Sequence, residues 1–225
     1  MRRAYTLIEL VLVIAIICIL AAIVFPVFSS LRESARKSMC ISNLSQLGLA
    51  VALYTEDFDD LYPAGGDMYL THTNLWEGYF DGLYWTRAQN LRPINEVLAP
   101  YTQATQIWKC PSDTGLPDGY SDNFDTYTAH TSLFNAFGSS YRYEEMLFLE
   151  PHFSSTLDTC GIGDHRIHFG PSEVIIFSDA FGSWHGTDGN ERRNVLMADG
   201  HAISMPEDVY DNIKTDGYDL SVPCQ

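Results

Sequence analysis

The chain has 225 residues and a formal net charge of −16, with 29 acidic against 13 basic side chains. So large an acidic excess argues against nucleic acid as a partner and against a protein lying flat on anionic lipid. It suits a head kept soluble by its charge, or one that meets divalent cations.

The acidity is unevenly placed. Arg2, Arg3, Arg32, Arg36 and Lys37 outnumber Glu9 and Glu33 in the opening stretch, so the remainder is more acidic than the average. Between Leu10 and Phe28 there is no formal charge at all. As a helix this run is about 28 Å long, close to the ~30 Å hydrocarbon core of a bilayer. One membrane span is therefore predicted. Glu9 stands at its start, where a carboxylate costs roughly 2.5–3.5 kcal/mol on insertion, so it needs a partner or a task. Cations flank the span on both sides, and charge alone does not set its orientation. An ordinary secretory signal cut near Ala21-Ala22 fits the outline, but such an apolar core rarely contains a Glu. A lipoprotein signal at Cys18 would follow Ala15-Ile16-Ile17, which is a poor match for one.

The string Arg2-Arg3-Ala4-Tyr5-Thr6-Leu7-Ile8-Glu9-Leu10 resembles the processing signal of type IV prepilins and type II secretion pseudopilins. That resemblance implies a cut between Ala4 and Tyr5 by a prepilin peptidase on the cytoplasmic side, with N-methylation of Tyr5. Glu9 then becomes the fifth residue of the mature chain. In the family, this acid meets the terminal amine of a neighbouring subunit in the filament. The family usually has Gly where this chain has Ala4. Pro26 matches the helix-kinking proline that pilins commonly carry. The resemblance further implies a single-pass protein of the bacterial inner membrane, its amino terminus cytoplasmic and its head periplasmic or extracellular. Its expected partners are the prepilin peptidase, the inner membrane and other pilin or pseudopilin subunits; nucleic acid is not among them.

Beyond Pro26 the helical pattern continues to about Thr55. A thin apolar stripe (Phe28, Leu31, Ala35, Met39, Ser42) gives way to a stronger one at Ile41, Leu44, Leu47, Gly48, Val51, Tyr54 and Phe58, spaced by threes and fours. The expected organisation is a leader (1–4), a transmembrane half-helix (5–28), an amphipathic half-helix (29–58) and a head (59–225). The fold class is α+β: a long amino-terminal helix packed on a small antiparallel sheet with long loops, as in pilins. The segment from Cys40 to Tyr54 resembles pseudopilin-like proteins that end in a motif of His, nine residues, then Asp-Gly.

The acids Glu56, Asp57, Asp59 and Asp60 oppose the dipole at a helix carboxy terminus and predict a turn. Calcium is left open at Asp57, Asp59 and Asp60, although they lack the glycine and terminal glutamate of an EF-hand loop; no cofactor is required. Pro93 to Tyr101 reads as a short helix, and Gln106 to Cys110 as a short strand ending at Pro111. Trp76, Tyr79, Phe80, Tyr84 and Trp85 form an aromatic group that either fills a small core or binds sugar.

Four strands are clearer: Ser140–Tyr143, Val174–Phe177, and the two of a hairpin, 194–198 with 201–205 about Asp199-Gly200, a dipeptide that favours tight turns. Pro206-Glu207-Asp208 predicts a terminal helix. His185, Asn194, Asp199 and Gly200 resemble the His…Asp-Gly motif, but thirteen residues separate His185 from Asp199 instead of nine. His185 could pin the preceding loop across the hairpin. The alternative is a metal site drawn from Asp179, His185, Asp188, Asp199 and His201. With Cys18 inside the span, four cysteines remain and allow three complete pairings. Cys40 with Cys110 and Cys160 with Cys224 is the expected set; sequence leaves the other two open. Cys160, His165 and His168 lack the Cys-x-x-Cys pair of common zinc sites.

No nucleophile elbow, phosphate loop, dinucleotide fingerprint or zincin motif occurs, so the chain is not expected to be an enzyme. The leading functional expectation is a pilin-like or pseudopilin subunit that assembles through its helix. The alternative is a membrane-anchored binding protein whose aromatic-rich head takes glycan or a surface polymer. A metal-dependent hydrolase on a pilin anchor is the third.

Overall fold

A computed structural model of the chain describes residues 6–67, 91–116, 131–144, 171–187 and 189–217. The chain divides into two compact units, Met1–Arg36 and Lys37–Gln225. A single helix, α1 (Leu7–Asp57, 51 residues), contributes to both.

In the first unit α1 stays helical through Pro26, although proline has no N–H to donate and removes one rung from the ladder. The large apolar side chains from Leu7 to Phe25 are exposed on every face of the helix. Phe28, Leu31, Ala35, Met39 and Ser42, read from sequence as a thin stripe, are exposed as well.

Burial begins at Cys40 in the second unit. Cys40, Leu44, Leu47, Ala50 and Val51 are all buried, a spacing that keeps them on one side of the helix. Gly48 costs about 1 kcal/mol of helix propensity against Ala, and its use lies in close approach. A Cβ there would stand 2.9 Å from Leu196 Cδ1 and 3.3 Å from Cδ2. Gly48→Val is thus expected to lower the unfolding free energy by about 1–3 kcal/mol through overpacking, seen as a lower urea midpoint. Leu49→Ala, at an exposed neighbour, is expected to stay within about 0.5 kcal/mol of the parent.

The helix faces a five-stranded antiparallel sheet: β1 (Tyr141–Tyr143), β2 (Ile175–Asp179), β3 (His185–Thr187), β4 (Asn190–Met197) and β5 (Ala202–Pro206). β1 is an edge strand on β2, and β5 pairs along one side of β4 from Arg192 to Leu196. β2 and β3 share the opposite side of β4 end to end, since Ser178 pairs with Val195 and His185 with Arg192. Between them the chain leaves the sheet through Ala180, Phe181 and a 3-10 turn at Gly182–Trp184.

Both faces of the sheet are covered. Leu196, Phe177 and Ile176 join the α1 side with Tyr141, Tyr143 and Trp108. Ile175, Val195, Met197 and Met205 join Tyr210 of the terminal helix Glu207–Gly217 on the other. This explains why all five residues of β2 are buried: a strand covered twice reads as a continuous apolar run. A register shift between Ile175 and Phe177 puts Ile176 and Phe177 on the same side, as a bulge does.

The Asp199-Gly200 turn forms where predicted but is longer than a two-residue hairpin. Gly200 N donates to Met197 O and Met197 N to His201 O, both at 2.9 Å. Gly200 has φ +86°, while Asp199 is not left-handed. This is a type I turn closed by a glycine bulge. The predicted strand at Gln106–Cys110 is instead a 3-10 turn, Thr105–Trp108. Its backbone meets the sheet region through one ladder-like bond among the described residues, Ser140 N to Trp108 O at 2.8 Å, while the Trp108 ring packs edge-on against Phe177. Pro93–Tyr101 breaks into a helix at Ile94–Val97 and a 3-10 turn at Ala99–Tyr101.

Candidate functional site

At the head of α1 the first residues explain how an acid is tolerated beside an apolar run. Thr6 precedes the helix, and its backbone N and its Oγ1 each donate to Glu9 Oε2 at 2.8 Å. Glu9 N donates back to Thr6 Oγ1 at 3.4 Å. This is a capping box, Thr-x-x-Glu, in which two otherwise unpaired donors of the first turn are satisfied reciprocally. The signature stands in the sequence as Thr6-Leu7-Ile8-Glu9, a local pattern independent of any membrane or assembly role of Glu9. Ala4 and Tyr5 lie outside the described residues.

In the head, α1 is tied down around Cys40. Cys40 and Cys110 form a disulfide with Cα atoms 5.1 Å apart, the first of the two expected pairs. Cys160 and Cys224 lie outside the described residues. Beside the bridge, Asn43 Nδ2 donates to Lys109 O at 2.9 Å and to Tyr141 Oη at 3.2 Å. Burial, then the nearby charge of Asp179, holds the Tyr141 phenol well above its usual pKa, so it stays protonated.

Asp113, in the Cys-Pro-Ser-Asp string after the bridge, gathers five donors. Its Oδ1 accepts from Gly115 N (2.9 Å) and Leu133 N (3.0 Å). Its Oδ2 accepts from Ser132 Oγ (2.9 Å), Phe134 N (3.0 Å) and Ser140 Oγ (2.7 Å). It thereby caps the short helix Leu133–Phe137 from a remote stretch. Sequence spacing could not reveal this, because most of its donors come from residues far along the chain.

His185 lies against the disulfide. Its Nε2 is 3.5 Å from Cys110 Sγ and 3.3 Å from Asp179 Oδ2. Asp179 sits where β2 ends and β3 has not begun, and its Oδ2 takes the Asn194 N–H at 2.9 Å. The backbone edge of β4 left open by the break in its neighbour strands is thus closed by a carboxylate. Arg193 serves the same gap, donating through Nη1 to Asp179 O (3.2 Å) and Ala180 O (3.1 Å). Arg193 also pairs with Glu207 and lies 4.1 Å over the Tyr210 ring. Burial works against its charge, but the Glu207 hydrogen bond and the charges of Tyr210 and Glu207 together outweigh it, and its pKa rises. Asp179 Oδ1 and both side-chain polar atoms of Asn194 are buried without a hydrogen-bond partner.

His185 therefore lies between the disulfide and the end of β2. Part of the thirteen-residue stretch between His185 and Asp199 forms the β3–β4 hairpin, where Thr187 pairs with Asn190.

The five residues considered for a metal do not form one group. Asp179 and His185 come together, while Asp199 and His201 form their own pair on the exposed β4–β5 turn. Asp188 lies outside the described residues. Asp199 is held below its usual pKa mainly by the His201 backbone N–H. In the acidic turn after α1, Asp57 Oδ2 accepts from Tyr101 Oη at 2.8 Å, and Asp59 and Asp60 adopt left-handed φ of 51° and 61°. The aromatic group from Trp76 to Trp85, with His165 and His168, lies outside the described residues.

Residues 1–25 match a family profile described as the prokaryotic N-terminal methylation motif. Residues 29–148, over half of the chain, match one described as a protein of unknown function (DUF1559). No curated protein and no solved structure matches the chain. The methylation motif marks a type IV pilin-like protein, and the one helix among the described residues that is long and apolar enough to cross a membrane fits a single-pass anchor. The chain belongs to the DUF1559 family, as a prepilin-like protein whose head carries that domain.

Proposed function

We propose that this protein is a structural subunit of a type II secretion pseudopilus or a type IV pilus-like filament. Prepilin peptidase cuts it between Ala4 and Tyr5, Tyr5 is N-methylated, and the apolar part of α1 passes from the inner membrane into a filament core. The amino terminus starts on the cytoplasmic side and the head lies beyond the membrane. The protein carries out no reaction of its own and needs no cofactor.

One observation carries this reading: a continuous helix with apolar side chains exposed on every face from Leu7 to Phe25, opening on a capped carboxylate. Such a surface needs cover on all sides. Lipid supplies it in storage, and the same helix of neighbouring copies supplies it in a filament. The glycan-binding alternative rests on Trp76 to Trp85 and draws little from the described head. There, the aromatic groove beside the end of α1 packs its rings on one another, with Tyr54 stacked on Phe58 at 4.2 Å and edge-on to Tyr101 at 5.6 Å.

Particles sheared from cells and collected by high-speed sedimentation test the proposal. The expected amino-terminal peptide begins at Tyr5 and is one methyl group heavier than its sequence. A chain that keeps Met1, or one that is matured but found only as dispersed membrane monomer, would refute it.

A further inference from the structure

Four ligand-bearing side chains from separate stretches converge in the head. The sulfurs of Cys40 and Cys110, a carboxylate oxygen of Asp179 and a ring nitrogen of His185 all lie within 4.8 Å of one another, and all four residues are buried. Asp179 is 0% and His185 1% exposed. Asn194 N orients Asp179 Oδ2, the oxygen that faces His185, while Oδ1 has no hydrogen-bond partner. A buried carboxylate with one oxygen left in this way is costly unless a cation or proton reaches the group. The spacings carry the argument further. With zinc–sulfur bonds of about 2.3 Å and zinc–nitrogen or –oxygen bonds of about 2.0–2.1 Å, tetrahedral geometry puts sulfur about 3.6 Å from nitrogen and nitrogen about 3.3 Å from oxygen. The observed separations are 3.5 Å from Cys110 Sγ to His185 Nε2 and 3.3 Å from His185 Nε2 to Asp179 Oδ2.

We propose that reduction of the Cys40–Cys110 bridge converts this cluster into a tetrahedral zinc site with two thiolates, the His185 imidazole and the Asp179 carboxylate as ligands. A dithiol reductant supplies two electrons and two protons to the sulfur–sulfur bond and becomes a disulfide itself. Each of the two new thiols then releases its proton to solvent as the metal binds. His185 binds as neutral imidazole through Nε2, with its proton on Nδ1. The sulfurs part from about 2.0 Å to about 3.8 Å. In the oxidised chain the sulfur electrons are committed to the bridge, and the site is closed to metal. The same four residues thus hold α1 to the sheet in either redox state, by a covalent bond or by a metal. The Asn194 N–H bond to Asp179 acts as the outer contact that aims a ligand.

The test uses the full chain in detergent micelles, reduced by a phosphine in the presence of Co²⁺, since a buried site loads through local opening. The expected result is one equivalent of bound Co²⁺ with thiolate-to-cobalt charge-transfer absorption, absent from the oxidised chain. X-ray absorption of the zinc-loaded chain should report two sulfur and two nitrogen or oxygen neighbours, a measurement that needs no variant. Replacing both Cys40 and Cys110 by serine should abolish the band. His185→Gln and Asp179→Asn should each weaken Co²⁺ binding by more than about 100-fold. Four outcomes overturn the assignment: no band on reduction, a band in the oxidised chain, a band that survives the double serine replacement and so comes from Cys18, Cys160 or Cys224, or a sulfur count other than two.

Discussion

Glu9→Ala is expected to remove the protein from filaments while leaving it in the membrane. A carboxylate near the bilayer costs roughly 2.5–3.5 kcal/mol on insertion, so its removal makes membrane storage easier, and a failure to assemble cannot be blamed on poor insertion. The loss should be large. Breaking one side of a desolvated ion pair costs about 3–5 kcal/mol, more than a hundredfold at each subunit contact. The capping box supplies the means of separating charge from shape. Glutamine can close a capping box as glutamate does, so Glu9→Gln keeps the contact with Thr6 and loses only the charge. It is expected to fail as completely as Glu9→Ala. Thr6→Val loses the box and keeps the charge, at a cost of about 1 kcal/mol in the helix start, and should still assemble. The measurement is the amount of subunit in sheared filaments for each variant at matched membrane levels. Wild-type incorporation of Glu9→Gln would mean that Glu9 serves the helix end alone, and the pairing mechanism would fall.

The second large effect is expected at the bridge between α1 and the head. Cys40 and Cys110 are 70 residues apart in sequence. Closing a loop of that size in the unfolded chain contributes about 4 kcal/mol, a large part of the roughly 5–15 kcal/mol typical of a folded domain. Replacing both cysteines by alanine should lower the denaturant midpoint accordingly. Treatment of the parent with a phosphine and a chelator should lower it to a similar degree. The chelator matters, because a metal held by the reduced thiols would restore part of the loss. An unchanged midpoint on reduction would show that the covalent tie is not what holds the head together.

Much of this architecture was legible because the relevant signals are local. Leu44, Leu47 and Val51 mark a buried helix face by spacing, and Asp199-Gly200 marks a reversal by conformational demand. Val174–Phe177 marks a doubly covered strand by unbroken apolarity. The cluster around His185 was not legible, because it depends on how strands share an edge. Nothing in residues 180–184 announces that the chain will leave the sheet and rejoin the same neighbour further along. Asp179 and His185 become adjacent only through that detour. The 3-10 turn at Thr105–Trp108 reads as a strand in sequence for a related reason. Gln-Ile-Trp has strand-like character, yet the chain there makes one bond towards the sheet region where a strand would make a ladder.

The tip of the β3–β4 hairpin offers a practical opening. Gly189 is exposed, and a Cβ added to it would meet nothing within 4 Å. A peptide tag inserted at this tip lies beyond the last β3–β4 pair, Thr187 with Asn190, and should leave the strand register intact. A fluorescent label carried there would let single subunits be followed in living cells from synthesis onward.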